Sequence, residues 1–200
     1  MRLLPYGPRA VLVEFGSLDD VLVADAAWQD MPGVVELVPA ARTLLVVHDD
    51  GFDLTMLVPP TPDAAAAVSV AAELAALRVV PVRYDGEDLA DVASATGLTV
   101  DEVVELHTAA TYRVAFCGFM PGFSYLVGLD DRLRLPRRPT PRERVPAGSV
   151  AIADEFTGVY PQQSPGGWHL LGTTTLPMWD DERTPAATLP PGALVRFARA

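Results

Sequence analysis

The sequence contains no lysine, and all 15 of its basic residues are arginine. Without lysine, the chain has no Schiff-base amine, no side chain that carries biotin and no phosphate-loop lysine of the Walker type. We therefore expect any bound anion to be held by arginine side chains, by backbone amides or by residues of a partner.

Cysteine is almost absent too, since Cys117 is the only one. A single cysteine forms no internal disulfide, which predicts a reducing, cytoplasmic location. Its thiol has two interpretations. We favour a small packing residue at a strand end, because free cysteines are most often buried, over a nucleophile with His107 as its base.

Positive charge and long apolar runs are also scarce. The formal net charge is -11, which argues against binding to nucleic-acid phosphates or to an anionic membrane surface. The sequence shows no run of about 18 apolar residues. Pro5 and Gly7 interrupt the start too early for a secretion signal. We expect neither nucleic acid nor a membrane as a partner.

What the sequence does contain is two segments rich in glycine, proline and aromatic residues, at 118–126 and 160–168. Glycine permits a positive φ, proline fixes φ, and a neighbouring aromatic ring covers either the turn or a ligand. Turns that merely connect strands are usually shorter and more polar. We therefore favour two shaped loops of a binding site over purely structural turns.

Residues 1–78 are predicted to form an α+β domain. Alternating apolar positions over 10–15 predict a strand, and Ser17 is placed to cap a helix. Two β-rich runs, 34–38 and 43–47, predict a hairpin, and the alanine-rich residues 64–77 favour a helix over a low-complexity linker. This order indicates a ferredoxin-like sandwich with helices on one face of an antiparallel sheet.

Residues 79–200 are predicted to form a second, mainly β domain. It would begin with a strand at 79–84 and two short helices. The first helix would cover 88–96 and end at Gly97, and the second would be opened by a capping box of Thr99 and Glu102. An alternating strand at 111–116 leads into the first glycine-rich segment. The later short strands, punctuated by Gly and Pro, favour a closed barrel or a sandwich, with strands at 150–153, 158–160, 168–172 and 194–197.

Histidine offers the clearest candidate for acid–base chemistry. His107 falls at a helix end, where it either interacts with the terminal carbonyls or acts as a general acid or base. His48 and His169 are weaker candidates. The three histidines lack the close spacing and the cysteine neighbours of a zinc site, so we predict no metal site in this chain.

Arginine supplies the candidate anion-binding groups. Arg142 and Arg144 lie two residues apart in an extended, proline-rich segment, so they are expected to project to one side. Two guanidinium groups on one side can hold a carboxylate or phosphate, and we favour this over a solvated pair bridged by Glu143. Arg137 and Arg138 are predicted to be plain surface charge.

The second glycine-rich segment contains a candidate oxyanion site. Two consecutive glycines, Gly166 and Gly167, can turn successive amides toward one point. Ser164 would add a hydroxyl group and Trp168 a wall. A structural turn into the final strands is the alternative.

This order of motifs resembles the allophanate hydrolase subunit 1 family, whose members include the B subunit of bacterial 5-oxoprolinase and a sporulation-kinase inhibitor. It is also similar to one half of the carboxyltransferase domain of urea carboxylase. The strong matches lie at 118–126, 129–130, 140–142, 144–150 and 157–168. Weaker similarity at 5–7, 9–10 and 42–45 extends the resemblance over most of the chain.

The resemblance implies a cyclophilin-like barrel for the second domain and a hydrolase subunit that is active only with partners. The catalytic candidates are Arg144 and Ser164, which lie in the matched segments, and His107, which lies outside them and for which the resemblance favours a functional role. The substrate-binding candidates are Gly118, Phe119, Pro121, Gly122, Tyr125, Arg142, Gly148, Ser149, Gly166, Gly167 and Trp168.

We favour one component of an ATP-dependent amide or lactam hydrolase, 5-oxoprolinase, which converts pyroglutamate to glutamate. The implied partners are a protein of the allophanate hydrolase subunit 2 type, equivalent to the C subunit of 5-oxoprolinase, and a third protein equivalent to its A subunit. ATP would be bound mainly by these partners, because no nucleotide loop is visible here. The alternatives are an inhibitor of a sensor histidine kinase and a component of the allophanate hydrolase, urea-amidolyase or carboxyl-transfer type.

Overall fold

The computed structural model describes residues 1–59 and 77–200, and these fall into two compact units. The predicted alanine-rich helix at 64–77 lies outside the described residues, apart from residue 77. The predicted domain boundary between residues 78 and 79 stays a prediction. None of the helices in the described ranges is long and apolar enough to span a membrane.

Among the described residues, the first unit is an antiparallel four-stranded sheet packed against one helix. Its elements are β1 (Arg2–Pro5), β2 (Ala10–Glu14), α1 (Leu18–Trp28), β3 (Val34–Pro39) and β4 (Thr43–His48), with strand order β1-β2-β4-β3. Alternation in β2 and β4 buries one face of the sheet, which with α1 forms a core of Val11, Val13, Phe15, Val21, Ala24, Trp28, Leu44 and Val46.

The local signals in this unit predicted most of its elements. Ser17 caps α1, because its hydroxyl oxygen accepts a hydrogen bond from the Asp20 amide at 3.2 Å. The predicted hairpin is confirmed as the antiparallel pair β3 and β4. Strand β1 was missed, since the sequence Arg2–Pro5 is short and carries a proline on a sheet edge.

The second unit contains two helices and nine strands among the described residues. They are β5 (Arg78–Val82), α2 (Leu89–Thr96), α3 (Val100–Ala109), β6 (Tyr112–Cys117), β7 (Ser124–Val127), β8 (Arg142–Val145), β9 (Ser149–Ala153), β10 (Phe156–Val159), β11 (Ser164–Gly166), β12 (His169–Thr173) and β13 (Leu194–Arg199). Seven strands form one sheet in the order β12-β9-β10-β7-β6-β13-β5, and β8 pairs with β11 as a separate ribbon.

The seven-stranded sheet is nearly closed into a barrel. A β-bridge between Arg83 and Thr173 joins the chain just after edge strand β5 to edge strand β12. The predicted mainly β character is therefore confirmed, with a barrel-like sheet. The finer descriptions, ferredoxin-like for the first part and cyclophilin-like for the second, stay predictions.

The end of α2 and the start of α3 lie where the sequence predicts them. Gly97 adopts a left-handed conformation, with φ of 72°, and ends α2. The capping box is confirmed at the start of α3, where the Thr99 hydroxyl accepts from the Glu102 amide and the Glu102 carboxylate accepts from the Thr99 amide.

His107 joins α3 to the barrel through a buried hydrogen-bond network. Its side chain is fully buried and stacks on Phe197 at a ring distance of 4.5 Å. Thr157 donates its hydroxyl proton to the Ala151 carbonyl at 3.1 Å, so His107 Nε2 must donate to Thr157 Oγ1 at 2.9 Å. Nδ1 then accepts from the Tyr84 hydroxyl at 2.7 Å. Burial lowers the pKa of this imidazole to about 3.

The neutral His107 predicts a specific dependence of stability on pH. The unfolded chain takes up a proton near pH 6.5 and the folded chain does not until about pH 3, so acidification favours unfolding. The free energy of unfolding should fall by up to about 1.4 kcal/mol per pH unit below pH 6.5. Urea unfolding between pH 5 and 7 measures this slope. His107→Gln should remove it, and equal slopes in the two proteins would contradict the prediction.

Candidate functional site

The second unit carries a cleft of about 250 Å³ whose walls are mainly aromatic. This volume lies below the range of about 300–1,000 Å³ that suits drug-sized ligands, so the cleft suits a small molecule. Its lining comes from the two glycine-rich segments and the chain between them, namely Phe119, Phe123, Tyr125, Arg137, Pro141, Tyr160, Pro165, Gly166, Gly167 and Trp168.

The first wall is the loop between β6 and β7. Gly118 donates its amide proton to the Phe123 carbonyl at 3.1 Å, and Phe123 donates to the Met120 carbonyl at 3.0 Å. Phe119 has a φ of 69°, which is unusual for a bulky residue, and its side chain is 62% exposed at the cleft rim. Gly122 also has a positive φ and packs on Met178. The loop thus presents the Phe119 ring from a strained, tightly hydrogen-bonded turn.

Phe123 is the centre of the aromatic wall. Its ring lies 5.0 Å from Tyr125, 5.3 Å from Tyr160 and 5.4 Å from Trp168, each at a steep angle. Tilted and edge-to-face pairs of this kind contribute roughly 0.5–1.5 kcal/mol each beyond the area they bury. The cluster therefore fixes the ring positions without a ligand.

The second wall is the ribbon of β8 and β11, which continues into Gly167. A Cβ at Gly166 would overlap the Tyr160 hydroxyl, so this position requires glycine. The Gly167 carbonyl accepts from the Arg138 amide at 2.8 Å. The two glycines therefore bring bare backbone to the surface of the cleft.

A buried carboxylate anchors this second wall. Asp88, at the start of α2, is 1% exposed and accepts hydrogen bonds from Arg138, from Arg142 at 2.7 and 2.9 Å, and from the Leu170 amide at 2.7 Å. Burial acts to raise the pKa of Asp88, but the Arg142 and Leu170 hydrogen bonds and the two arginine charges outweigh it and lower the pKa. The carboxylate thus stays ionised and holds β8, β12 and residue 138 together.

Two arginines differ from their predicted role as plain surface charge. Arg138 is ion-paired with the buried Asp88, and Arg137 lines the cleft. Arg137 also lies 3.9 Å from the Asp154 carboxylate, in an ion pair in which both side chains are largely exposed. No local pattern signalled either role, because Asp88 lies 50 residues before Arg138.

Five of the predicted substrate-binding residues line the cleft: Phe119, Tyr125, Gly166, Gly167 and Trp168. Gly118, Pro121 and Gly122 shape the first loop beside them. Their roles toward a substrate stay predictions.

The other predicted site residues lie outside the lining of the cleft. Arg142 is engaged by Asp88 and Glu87, so the expected pair of free guanidinium groups is not formed. Arg144 is exposed on β8. Gly148 has a φ of 79° and its carbonyl accepts from the Thr174 amide at 2.8 Å, while Ser149 is buried at the start of β9. The buried Ser164 hydroxyl has no hydrogen-bond partner among the described residues.

His107 and Cys117 do not form a reactive pair. The His107 ring is bonded to Tyr84 and Thr157 in the core and does not reach the cleft lining. Cys117 Sγ lies 3.5 Å from Ser124 Oγ, and burial raises the pKa of its thiol. This geometry corrects the idea of His107 as an acid or base at the barrel mouth and fits the packing interpretation of Cys117.

The described lining of the cleft contains few ionisable side chains. Arg137, Tyr125 and Tyr160 are the ionisable side chains of its described lining, and burial raises the pKa of both tyrosines. Both hydroxyls therefore stay protonated at neutral pH and can donate hydrogen bonds. No three or more His, Cys, Asp or Glu side chains cluster as metal ligands within residues 1–59 and 77–200. Among those same residues, the lining includes no carboxylate or imidazole that could act as a general base.

Comparison with known proteins gives one family over almost the whole chain. Residues 1–189 match the family described as carboxyltransferase domain, subdomain C and D. A curated relative, the B subunit of 5-oxoprolinase from Bacillus subtilis (strain 168), is 36% identical over 96% of this chain and 90% of its own length. Two further curated relatives with the same name are 41% and 38% identical, from Escherichia coli O157:H7 and Haemophilus influenzae.

Solved structures show the same fold. A crystal structure of TTHA0988 superposes with a TM-score of 0.75 at 38% identity, and the match covers 96% of this chain but 40% of that longer chain. The Kluyveromyces lactis urea amidolyase matches with a TM-score of 0.70, covering 99% of this chain and 15% of that chain. At 18% identity, this second likeness shows the fold alone.

The Asp88 anchor gives a prediction for stability. Asp88→Asn removes the buried negative charge and leaves Arg138 and Arg142 without their shared partner. Breaking such a pair costs about 3 kcal/mol, so urea unfolding at pH 7 should show a loss of that size.

Glu87 provides the matched control, because it contacts the same arginine, 3.2 Å from Arg142, with a side chain that is 74% exposed. Exposed pairs contribute little, so Glu87→Gln should change the free energy of unfolding by less than about 1 kcal/mol. Equal losses in the two variants would show that Asp88 is no anchor.

Proposed function

The chain belongs to the family described as carboxyltransferase domain, subdomain C and D, and from this premise we propose that it is one of the subunits of 5-oxoprolinase. The support is its 36% to 41% identity, over most of its length, to three curated relatives that carry the name of that enzyme's B subunit. The proposed reaction opens pyroglutamate to glutamate with ATP and water.

The single structural observation that carries this proposal is the small aromatic cleft with a glycine-lined wall. Its volume of about 250 Å³ suits a compact ring, and flat aromatic side chains favour a flat ligand such as a five-membered lactam. Gly166 and Gly167 allow the lactam to approach the backbone closely. The small volume and the flat walls of the cleft support pyroglutamate as its ligand.

The chemical steps are shared with other subunits in this proposal. The γ-phosphoryl group of ATP is transferred to the lactam carbonyl oxygen, which releases ADP. Water attacks the activated carbon, and the C–N bond breaks as the nitrogen takes up a proton, which leaves the acyl phosphate of glutamate. A second water molecule hydrolyses this acyl phosphate to glutamate and inorganic phosphate. Because the chain has no lysine and therefore no Walker-type phosphate loop, the partners supply most of the ATP site in this proposal. This chain holds the substrate, and loop amides near Gly166 stabilise negative charge on the oxygen.

The proposed assembly adds two proteins, equivalent to the C and A subunits of 5-oxoprolinase, in the cytoplasm. The name shared by the three curated relatives describes each of them as one component of a multi-subunit enzyme. In TTHA0988 the matching fold forms 40% of a longer chain, which supports a domain that works beside another. In the same proposal the first unit is ferredoxin-like and the second is a cyclophilin-like barrel.

Reconstitution tests this function directly. Glutamate release from pyroglutamate and ATP should be absent with the purified chain alone and should appear when the A-type and C-type partners are added. Assembly of the three proteins without glutamate release would contradict pyroglutamate as the substrate. Failure to assemble would instead favour the role of a kinase inhibitor.

Substitution of Gly166 tests the cleft within that assembly. Gly166→Val should abolish glutamate release, because a side chain there displaces Tyr160 from the wall. Gly16→Ala is the control, since the added methyl group meets only Asp20 at an ordinary 3.6 Å.

Arg144→Ala tests the predicted catalytic arginine, and should lose activity while assembly is retained. Loss of folding in the Gly166 variant or in the Arg144 variant would identify that residue as scaffold.

A further inference from the structure

We infer that Arg137 recognises the carboxylate of the substrate, so that the cleft selects small planar rings that carry one negative charge. This inference rests on the proposed function and assigns its binding step to one side chain. It also differs from the sequence-based expectation, in which Arg142 and Arg144 held the anion.

Arg137 is the one charged side chain in the lining of the cleft, among the residues that the structure describes. The remaining lining consists of aromatic rings, prolines and glycines, and the faces of aromatic rings carry partial negative charge. Such walls favour a flat ring but repel an anion placed over them. A carboxylate attached to the ring is therefore stable in this cleft only on the side where the guanidinium lies.

The backbone around Arg137 is held in place by hydrogen bonds on both sides. The Pro136 carbonyl accepts from His169 Nε2 at 2.9 Å, and the Arg138 amide donates to the Gly167 carbonyl at 2.8 Å. The Asp88 carboxylate then fixes the Arg138 side chain. The base of the Arg137 side chain is thus positioned by the same contacts that position the glycine wall.

The Arg137 guanidinium itself is available to a ligand. Its contact with Asp154 is 3.9 Å long and exposed, and such pairs contribute little. A ligand carboxylate can therefore replace Asp154 as its partner at small cost. Arg138 and Arg142 differ, since the buried Asp88 engages both.

The Arg137 charge acts on two tyrosines that line the same cleft. Burial raises the pKa of both Tyr125 and Tyr160, and the charge of Arg137 acts in the opposite direction on each of them. Tyr125 and Tyr160 line the same cleft as Arg137, and their protonated hydroxyls are hydrogen-bond donors. Together these groups make a carboxylate site at one side of an apolar ring pocket.

Calorimetric titration of the assembled complex tests this inference. The probes are pyroglutamate, its uncharged amide, and 2-pyrrolidinone, which is the same ring without the carboxyl group. The wild-type complex should bind pyroglutamate at least tenfold more tightly than the amide. Arg137→Gln should remove this preference and leave amide binding unchanged, whereas Arg137→Lys should retain part of it.

Arg134→Gln is the matched control, because Arg134 pairs with Asp131 at 2.8 Å and lies outside the cleft lining. It should leave all three affinities unchanged. In kinetics, Arg137→Gln should raise KM for pyroglutamate at least tenfold with little change in kcat. An unchanged preference in Arg137→Gln, or equal losses for acid and amide, would overturn the inference.

The binding assay also separates this inference from the proposed function. If the complex releases no glutamate, L-proline and other small cyclic carboxylates are titrated against their amides in the same way. A preference for the acid that Arg137→Gln removes supports the inference even then. A wild-type complex that binds none of these carboxylates overturns it.

Discussion

The ionised carboxylate of Asp88 is the interaction on which the site depends. It is almost completely buried and accepts hydrogen bonds from Arg138, Arg142 and the Leu170 amide. Desolvating a charge is costly, so the carboxylate is stable there only because these donors surround it. Through these hydrogen bonds the Asp88 carboxylate connects the start of α2 to β8, to β12 and to Arg138, which is next to Arg137. The position of the second wall of the cleft therefore depends on the charge of Asp88.

The cleft combines that electrostatic anchor with an aromatic wall whose order needs no ligand. Phe123 keeps Tyr125, Tyr160 and Trp168 at fixed angles, so little ordering remains for a ligand to impose. The described lining offers hydroxyl donors and a guanidinium but no base. The hydroxyl donors and the guanidinium suit the holding and orienting of a small ring, which is the role proposed for this chain.

The sequence predicted what depends on neighbouring residues. Caps such as Ser17, Thr99 and Gly97, and the two glycine-rich segments that line the cleft, were recognisable from local pattern. Contacts between distant residues were not. Asp88 and Arg138 are separated by 50 residues, so neither signalled the other. The pairing of β8 with β11 was not predictable from local pattern either. Nor was the hydrogen bond between His107 and Thr157, which are 50 residues apart.

The most direct measurement is a crystal structure of the assembled complex with pyroglutamate bound in the absence of ATP. The proposed function and the inference about Arg137 predict the lactam ring in the cleft against Tyr160 and Trp168, with its carboxylate at the Arg137 guanidinium. Pyroglutamate bound on a partner protein, with this cleft empty, would contradict the central claim that the aromatic cleft of this chain holds the substrate.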